Sequence, residues 1–480
     1  MNKRLSLLGI TFILTLMMSM YSYAAPQAPA DLKGALCLVR ADDKVVLIDE
    51  LITKQLSLPG GTITSGETPA EAAQRETWEE TGLVVSVGQL LGYAGKAAVF
   101  DCVSDSDIIT YQYINQWGGF ELPVWYAPHY GIEVARAMLI QPQRVDTGNY
   151  RYPEEWPEIE KMFASATEQS INSVPDLIKA APAISQYELG WISALQYSIA
   201  ELSAPVSQFI SRLILLGGAF ASPAFGLLLF PLLYWQSGKA FCFKAFFSVA
   251  VTSLICLIAQ QGFVLPRPYA YLPSLQLVES SGYGFPSLPI AVWVSLGILW
   301  LLDNEKLGWN KSSAALGVSA LCLAFSLFYS GRAFMVDMIV GAMLGALVAW
   351  HIVRLNEKPN INVDKLLSSR RVWLGLTAVS AAVAFWWQMP VFGAWLVILA
   401  LLTLIVMTVM PKMEEISLRQ ALLMSVVLLA GHYLVNYAAT FVSSSGMLSL
   451  VIDLLRQPLL IGLFCLMVRT IKLRPAVKVA

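Results

Sequence analysis

Nine long apolar stretches follow one another after residue 208, and they constrain the fold more than any other feature of this sequence. They span residues 209–235, 240–264, 286–302, 312–329, 333–353, 373–388, 391–410, 421–442 and 447–468. A helix needs about 20 mainly apolar residues to cross a bilayer, and lipid offers no hydrogen-bond partners to loops or sheet edges. This part of the chain is therefore predicted to be an all-α polytopic domain with about nine transmembrane helices.

The composition agrees with a membrane protein. Hydrophobic residues make up 56% of the 480 residues and charged residues only 14%, which is more apolar than a soluble globular chain requires. The charged residues concentrate in the first third, and the formal net charge is −1. Without a basic tail or patch, the sequence indicates membrane lipids and not nucleic acid as its surroundings.

The first 24 residues are predicted to be a secretory signal peptide. Lys3 and Arg4 precede an apolar run at 5–20, and Ser22 and Ala24 are small residues at the cleavage-type positions. An uncleaved membrane anchor is the alternative. Either interpretation exports the segment 31–166.

If the chain enters the membrane from the outer side, nine spans place the C-terminus in the cytoplasm. The distribution of basic residues tests this topology. Only Arg212, Arg267, Arg332 and Arg456 approach the predicted outer side. The predicted inner loops hold Lys239, Lys306, Lys311, Arg354, Lys358, Lys365, Arg370, Arg371, Lys412, Arg419, Arg469, Lys472, Arg474 and Lys478. The positive-inside rule therefore favours a multi-pass inner-membrane protein with segment 31–166 extracytoplasmic.

Segment 31–166 is predicted to be a mixed α/β domain. Short strands are expected on both sides of a turn at 41–43, then at 84–93, 97–102 and 108–114, with a helix at about 154–166. Cys37 and Cys102 are its only cysteines, and an oxidising compartment would allow them to pair. The sequence alone does not show whether they are near enough.

A helix rich in glutamate is predicted at 69–81. Glu76, Glu79 and Glu80 stand at i, i+3 and i+4, on one helix face, where three carboxylates repel one another unless a cation lies among them. Thr68 with Glu71 makes a capping box, Pro69 suits the first helical position and Gly82 suits the left-handed position after the last turn. Oxygen ligands of this kind suit Mg²⁺ or Mn²⁺.

This stretch resembles the Nudix hydrolase signature GX5EX7REUXEEXGU, in which U is aliphatic. The matching positions are Gly61, Glu67, Arg75, Glu76, Glu79, Glu80, Gly82 and Leu83, and only Thr77 departs from the pattern. The resemblance implies a Nudix fold, with a mixed sheet between helices, that hydrolyses a diphosphate linked to another group. It also implies metal ligands Glu76, Glu79, Glu80 and the Gly60 carbonyl, with Arg75 held by Glu67 and with a glutamate or water held by the metal activating the nucleophile.

Further ligands are harder to assign in this domain. Glu121, Asp101, Asp105 and Asp107 are candidates for a late metal ligand, and Arg136, Arg144, Arg151 and His129 for contact with the leaving group. For each of them, an ordinary surface residue is the competing interpretation.

Segment 167–206 is predicted to be a linker followed by a membrane-surface helix at about 187–202. The next segment, 207–355, resembles the type 2 phosphatidic acid phosphatase family at Arg267-Pro268, Pro286-Ser287 and the stretch from Ser330 to Asp337. Gln260 stands where the family has lysine, and Leu288-Pro289 stands where it has Gly-His. The stretch that would carry the nucleophilic histidine is missing.

The three histidines of the chain are His129, His351 and His432, and none is placed to replace it. The surviving residues Arg267, Ser287, Arg332 and Asp337 are candidates for binding a phosphate without cleaving it. Asp337 is expected to pair with Arg332, and Asp453 with Arg456. Segment 356–480 adds four further transmembrane helices that resemble no family.

Three functions fit these features. The first is an exported, membrane-tethered Nudix hydrolase that cleaves a diphosphate, lipid-linked or soluble. The second is a lipid phosphatase or undecaprenyl-diphosphate phosphatase that works through segment 207–355. The third is a non-catalytic lipid-phosphate binding or transport protein.

Overall fold

The computed structural model describes residues 28–408 and 414–470. The predicted signal peptide lies outside the described residues, as do the predicted inner charges Lys412, Lys472, Arg474 and Lys478.

The strands of the described chain all lie between Gly34 and Val174. They are β1 Gly34–Leu38, β2 Arg40–Ala41, β3 Lys44–Glu50, β4 Leu56–Ser57, β5 Gly60–Thr62, β6 Val85–Ala94, β7 Ala97–Ser104, β8 Ile108–Tyr111, β9 Phe120–Leu122, β10 Val134–Ile140, β11 Glu168–Gln169 and β12 Ile171–Val174. One sheet has the order β5-β1-β7-β6, the second has β11-β2-β3-β10-β9 with β4 beside β3, and β12 pairs with β8. β1 and β7 run parallel, whereas β1 and β5 run antiparallel, so the first sheet is mixed as predicted.

Two helices cover opposite faces of these sheets. Helix α1 spans Pro69–Thr81 and α2 spans Trp156–Ser165. Successive side chains of a strand point to opposite faces. Accordingly, Ala35 and Cys37 of β1 share a core with residues of α1, whereas Leu38 packs with Trp156 of α2. The predicted mixed sheet between helices is confirmed.

A disulfide joins β1 to β7. Cys37 and Cys102 lie in neighbouring parallel strands, and their Cα atoms are 5.5 Å apart. The pairing that the sequence left open is therefore present in the structure.

The start of the predicted linker is folded onto the first domain. β11 pairs with β2 around Glu168, and β12 pairs with β8 from Ile171 to Val174. The expected surface helix follows as α3, Ala183–Ala200, with Leu189 and Ile192 buried and with Tyr187 and Trp191 exposed.

The remainder of the described chain is helical. The helices are α4 Ala204–Leu216, α5 Pro223–Phe263, α6 Pro268–Tyr271, α7 Leu288–Asp303, α8 Lys311–Tyr329, α9 Met335–Asn356, α10 Val363–Leu367, α11 Arg370–Trp386, α12 Pro390–Thr408, α13 Leu418–Thr440 and α14 Gly446–Thr470. Short 3₁₀ turns occur at Pro142–Arg144, Thr147–Asn149, Pro153–Glu155, Ile178–Ala180, Gly217–Ala221 and Pro273–Leu275. The chain is thus a mixed α/β domain followed by a helical one.

Seven helical segments of the described chain are long and apolar enough to cross a membrane. They are Ala204–Ala221, Pro223–Phe263, Lys311–Tyr329, Met335–Asn356, Pro390–Thr408, Leu418–Thr440 and Gly446–Thr470. The predicted number of nine is not confirmed. Two predicted spans correspond to α7 and α11, of 16 and 17 residues, or about 25 Å each, which is shorter than the ~30 Å hydrocarbon core.

The first predicted span is also interrupted. Residues 209–235 are divided at Ser222, which caps α5, and the rest of α5 contains the second predicted span. α5 has 41 residues and a non-helical Gly238 at φ 74° and ψ −176°. Hydropathy does not show the break at Ser222, because the residues on both sides of it are mainly apolar, whereas the polar residues around Gly238 already separate the first two predicted spans.

The α/β domain rests on one end of the helical domain. Tyr283 donates from its hydroxyl to the Trp125 carbonyl at 3.1 Å, and Arg151 donates to the Ser444 carbonyl at 3.3 Å. Gly131 and Gly282, both at positive φ, meet backbone to backbone, since a Cβ on Gly131 would lie 2.4 Å from the Gly282 Cα. The two domains are therefore docked directly against each other.

Candidate active site

Helix α1 begins and ends where its capping residues predict. The Thr68 side chain accepts from the Glu71 backbone N–H, the Glu71 carboxylate accepts from the Thr68 backbone N–H, and Pro69 occupies the first turn. Gly82 ends the helix at φ 73°. These local interactions fix the register of α1, and hence the face on which its glutamates stand.

Arg75 contacts three carboxylates, those of Glu67, Glu76 and Glu79. Its guanidinium donates to both oxygens of Glu67, at 3.1 and 2.9 Å, and to Glu79 at 2.8 Å. The same nitrogen that reaches Glu79 lies 2.9 Å from Glu76 Oε1. The structure thus places Arg75 against Glu67 and close to the acidic face, and hydrogen bonding to Arg75 lowers the pKa of Glu67 to about 2.

Glu76, Glu79 and His129 form a cluster with the spacing of a metal site. One oxygen of each carboxylate and one ring nitrogen all lie within 4.8 Å of one another. Glu76 is close to the β5 loop, because a Cβ on Gly61 would come 2.5 Å from its carboxylate. Burial raises the pKa of Glu76, and the positive charge of Arg75 opposes that shift. The two carboxylates are oxygen ligands that suit Mg²⁺ and Mn²⁺, whereas the imidazole is a ligand more typical of other transition metals.

Glu80 is not one of the three side chains of this cluster. Its carboxylate accepts from the Gly60 backbone N–H at 2.8 Å and is only 7% exposed, and burial raises its pKa. The predicted ligand roles of Glu80 and the Gly60 carbonyl stay predictions. The structure does bring both residues to the edge of the site.

His129 is the member that the sequence indicated only as a candidate for contact with the leaving group or an ordinary surface residue, and not as a metal ligand. Its backbone N–H donates to the Glu79 carbonyl at 2.8 Å, which ties its loop to α1. Its Nδ1 lies 3.1 Å from Glu133 and its Nε2 lies 3.9 Å from Glu79. Glu133 raises the pKa of His129 and holds its other nitrogen toward the cluster. In the sequence, the i and i+4 spacing of His129 and Glu133 was the feature that could have indicated this pairing.

The other candidate residues of this domain lie elsewhere. Glu121 and Arg136 face each other at 3.4 Å. Asp101 accepts from Thr167, Asp105 from Ser86, and Arg151 donates to Glu50. These contacts hold loops and strands together. No group of metal-ligating side chains in the described chain includes them.

The predicted phosphate-binding residues of the helical domain contact mainly backbone. Arg267 donates to the carbonyls of Arg332 at 2.7 Å and Gly282 at 3.2 Å. Gln260 donates to the Pro286 carbonyl at 2.9 Å, and the Ser287 side chain is buried. Their role in binding phosphate stays a prediction.

The expected ion pair between Asp337 and Arg332 is wrong. Asp337 lies in the first turn of α9, and its carboxylate accepts from the Phe334 backbone N–H at 2.9 Å. The helix N-terminus stabilises this carboxylate, and the cation beside it is Arg267, since a Cβ on Gly284 would lie within 3.2 Å of atoms of both side chains. The second expected pair is present, with Arg456 at 3.2 Å from Asp453.

Comparison with known proteins identifies the first domain. Residues 32–159 match the family model described as "NUDIX domain". A "MutT-like protein" of Streptomyces ambofaciens is 40% identical over 55 residues, which are 12% of this chain and 36% of that protein. The chain therefore contains a Nudix domain, and it spans about a third of the length of this relative.

Two solved structures resemble parts of the chain. A NUDIX hydrolase from Nitrosomonas europaea is 20% identical, with 31% of this chain and 82% of that chain covered and a TM-score of 0.21. A transmembrane PAP2-type phosphatidylglycerolphosphate phosphatase from Bacillus subtilis is 16% identical, with 38% of this chain and 92% of that chain covered and a TM-score of 0.30. At these scores neither likeness assigns an activity.

Proposed function

We propose that the Nudix domain hydrolyses a diphosphate linkage with Mg²⁺ or Mn²⁺ at the surface of a membrane. The observation that carries this proposal is the convergence of Glu76, Glu79 and His129 on one point beside Arg75. The Nudix domain and its fixed signature positions support the hydrolase class. Three features surround this cluster: the capped helix α1, the side chain of Arg75 and the close approach of Gly61 to Glu76. A chance cluster of acidic residues would not be expected to have all three.

Each residue has a defined part in this proposal. Glu76 and Glu79, with Glu80 and the Gly60 carbonyl, would hold the cation, and His129 would complete the set from the opposite loop. A bound divalent cation would polarise the diphosphate and promote loss of a proton from the attacking water. Glu67 fixes the guanidinium of Arg75, which keeps a positive charge next to Glu76 and Glu79 where the diphosphate would lie.

We further propose that the Nudix domain is extracytoplasmic and the C-terminus cytoplasmic, in the inner membrane. Lys244 pairs with Asp303 and Asp364 at the helix ends remote from the Nudix domain, and Lys311, Arg370 and Arg469 lie at the same ends. An excess of basic residues on that side supports a cytoplasmic location for it. The Cys37–Cys102 disulfide supports an oxidising compartment for the other side.

Contacts along the first predicted span support one crossing there despite its break. Ser211 lies 2.7 Å from the Tyr329 hydroxyl, at the Nudix end of α8, and Tyr234 donates to the Glu414 carbonyl beside the start of α13. The chain thus passes from one end of the helical domain to the other between these residues. Such a crossing, with α7 and α11 as short spans, would give the predicted orientation.

A lipid-linked diphosphate is the substrate class that this location favours. The Nudix domain is docked on the helix ends, so its site would lie at the lipid headgroup level. The site geometry does not support the alternative of a phosphatase in segment 207–355. Arg267 donates to backbone carbonyls, and His351, the histidine of this segment, lies near the opposite end of α9 from Asp337.

Separation and quantification of the hydrolysis products formed by the purified full-length chain in detergent test the proposal, because cleavage of a nucleotide sugar releases two phosphate monoesters and no inorganic phosphate. A panel of a nucleotide sugar, a nucleoside triphosphate and an isoprenoid diphosphate is assayed with Mg²⁺, with Mn²⁺ and with EDTA. We expect hydrolysis of at least one substrate with metal and none with EDTA. Full activity in EDTA, or activity on no diphosphate, would refute the proposed function.

A further inference from the structure

A large cavity opens between the Nudix domain and the helical domain beside the acidic cluster. Its volume is about 590 Å³. Lining side chains come from both domains and include His129, Glu133, Gln261, Val264, Trp386 and Gln388. A volume of this size is within the range of small-molecule sites.

One wall of the cavity belongs to the catalytic cluster. His129 lines the cavity, and its ring nitrogen is within 4.8 Å of the oxygens of Glu76 and Glu79. A diphosphate bound at these carboxylates would therefore have one end at the cavity. Glu133 keeps this part of the wall polar.

The other side of the cavity is formed by helix ends, where the apolar residues Val264, Trp386 and Met389 stand beside Gln261 and Gln388. Trp386 ends α11 with 78% of its surface exposed, and Val264 follows the last residue of α5 with 47% exposed. The neighbouring Phe263 is also exposed, at 59%. Tryptophan at the end of an apolar helix is typical of the membrane–water interface. The cavity thus runs from the diphosphate-binding side toward the lipid.

The walls are held at a fixed separation. The Gly131–Gly282 contact lies beside the cavity, and Tyr130 packs against Tyr283 with ring centroids 5.6 Å apart. The loop that carries His129 therefore rests on the helical domain. A site with preformed polar and apolar walls can bind an amphipathic ligand without reorganising its backbone.

We propose that this cavity binds the first part of the apolar chain of a lipid diphosphate whose headgroup occupies the Nudix site. The inference rests on the proposed function and specifies its substrate. In the reaction, the oxygen of a water forms a bond to one phosphorus and the bridging P–O bond breaks. The products are a lipid monophosphate and the second phosphate, and one proton of the water is released to solvent.

Two substrates with the same headgroup isolate the contribution of the chain. Isopentenyl diphosphate has 5 carbons and geranylgeranyl diphosphate 20, by their chemical definition, so any difference in kcat/KM reports the apolar part. The full-length protein is assayed in mixed micelles with Mg²⁺. We expect kcat/KM to be at least about tenfold higher for the long chain, mainly through KM, since each buried methylene contributes binding energy.

Trp386→Ala tests the wall itself. It should reduce the preference for the long chain several-fold, whereas Trp309→Ala, a fully exposed tryptophan outside the cavity, should leave the preference unchanged. Val264→Asn is a second variant that the fold tolerates, because Val264 is at φ 53°, a conformation that asparagine adopts more readily. It should lower the preference in the same direction.

The outcomes separate this inference from the function on which it rests. Equal kcat/KM for the two prenyl diphosphates, or equal effects of Trp386→Ala and Trp309→Ala, would overturn the cavity assignment while leaving diphosphate hydrolysis intact. Hydrolysis of soluble nucleotide substrates alone would overturn it as well. If no diphosphate were hydrolysed in the presence of metal, the proposed function itself would be refuted.

Discussion

The acidic face of α1 and the ends of α5, α7 and α9 that face the Nudix domain were both predicted to serve phosphate chemistry, but their residues make different contacts. In α1 the carboxylates of Glu76 and Glu79 converge with His129, and Arg75 is held beside them. At the helix ends, Arg267 donates to backbone carbonyls and Asp337 accepts from a backbone N–H. The residues that match the predicted phosphatase motif thus make structural contacts in this chain.

The largest expected effect distinguishes these two sites directly. Glu79→Gln should lower kcat/KM on a soluble diphosphate by at least about 100-fold, because it removes a charged ligand from the metal cluster. Ser287→Ala in the helical domain should leave that value within about twofold, since nothing in its position touches the Nudix site. Glu158→Gln, an exposed residue paired only with Lys161, is the matched control.

The comparison would fail if Ser287→Ala and Glu79→Gln abolished activity equally. That result would place the reaction in the helical domain, and the Nudix domain would then have only a binding role.

A second difference between the two domains is redox sensitivity. The Nudix domain has the Cys37–Cys102 disulfide, whereas Cys242, Cys256, Cys322 and Cys465 of the helical domain are free. Replacing Cys37 and Cys102 together by serine should lower the stability of the Nudix domain by about 2 kcal/mol or more, because the bond closes a long loop. Limited proteolysis of the full chain, with and without dithiothreitol, measures this loss.

Cutting should begin within the Nudix domain in the serine variant, and the reductant should change only the wild-type pattern. Cys322→Ser, at an exposed free cysteine, serves as the control. Equal protection of wild type and double variant in oxidising buffer would contradict the prediction.

The smallest expected effect tests whether the domains act as one body. Gly131→Ala introduces a methyl group that would lie 2.4 Å from the Gly282 Cα, and overpacking of this kind costs about 1–3 kcal/mol. Gly118→Ala has nearly the same backbone, at φ 80° against 74°, but nothing within 4 Å of the new Cβ. The difference between the two melting temperatures in detergent isolates the contact between domains.

We expect Gly131→Ala to melt below Gly118→Ala. If both variants lost the same stability, only the strain at positive φ would remain as a cause, and the docking of the two domains would contribute little.

The sequence predicted the local features of α1 correctly. Thr68, Glu71 and Gly82 specify the ends of the helix by interactions within a few residues, and the spacing of the glutamates then follows. The helix ends rest on capping and short-range periodicity, which a single sequence contains in full. The mixed sheet between helices was expected from the resemblance to the Nudix signature, because periodicity alone does not determine which strands pair.

The features that the sequence did not predict depend on contacts between distant residues. His129 reaches the acidic cluster only because its loop is hydrogen-bonded to Glu79, 50 positions earlier in the numbering. Asp337 is compensated by a helix N-terminus and not by Arg332, and the break at Ser222 lies within a uniformly apolar run. Hydropathy and charge spacing contain no information on such partners.

The contact between Gly131 and Gly282 has a consequence for what the Nudix site can reach. A domain on a flexible tether would sample a range of heights that grows with the length of the linker. Here two glycine backbones in contact set one height for the carboxylates above the ends of α5 and α11. Under the proposed function, a domain docked in this way would accept only molecules whose diphosphate lies at that one distance from the hydrocarbon in which they are anchored.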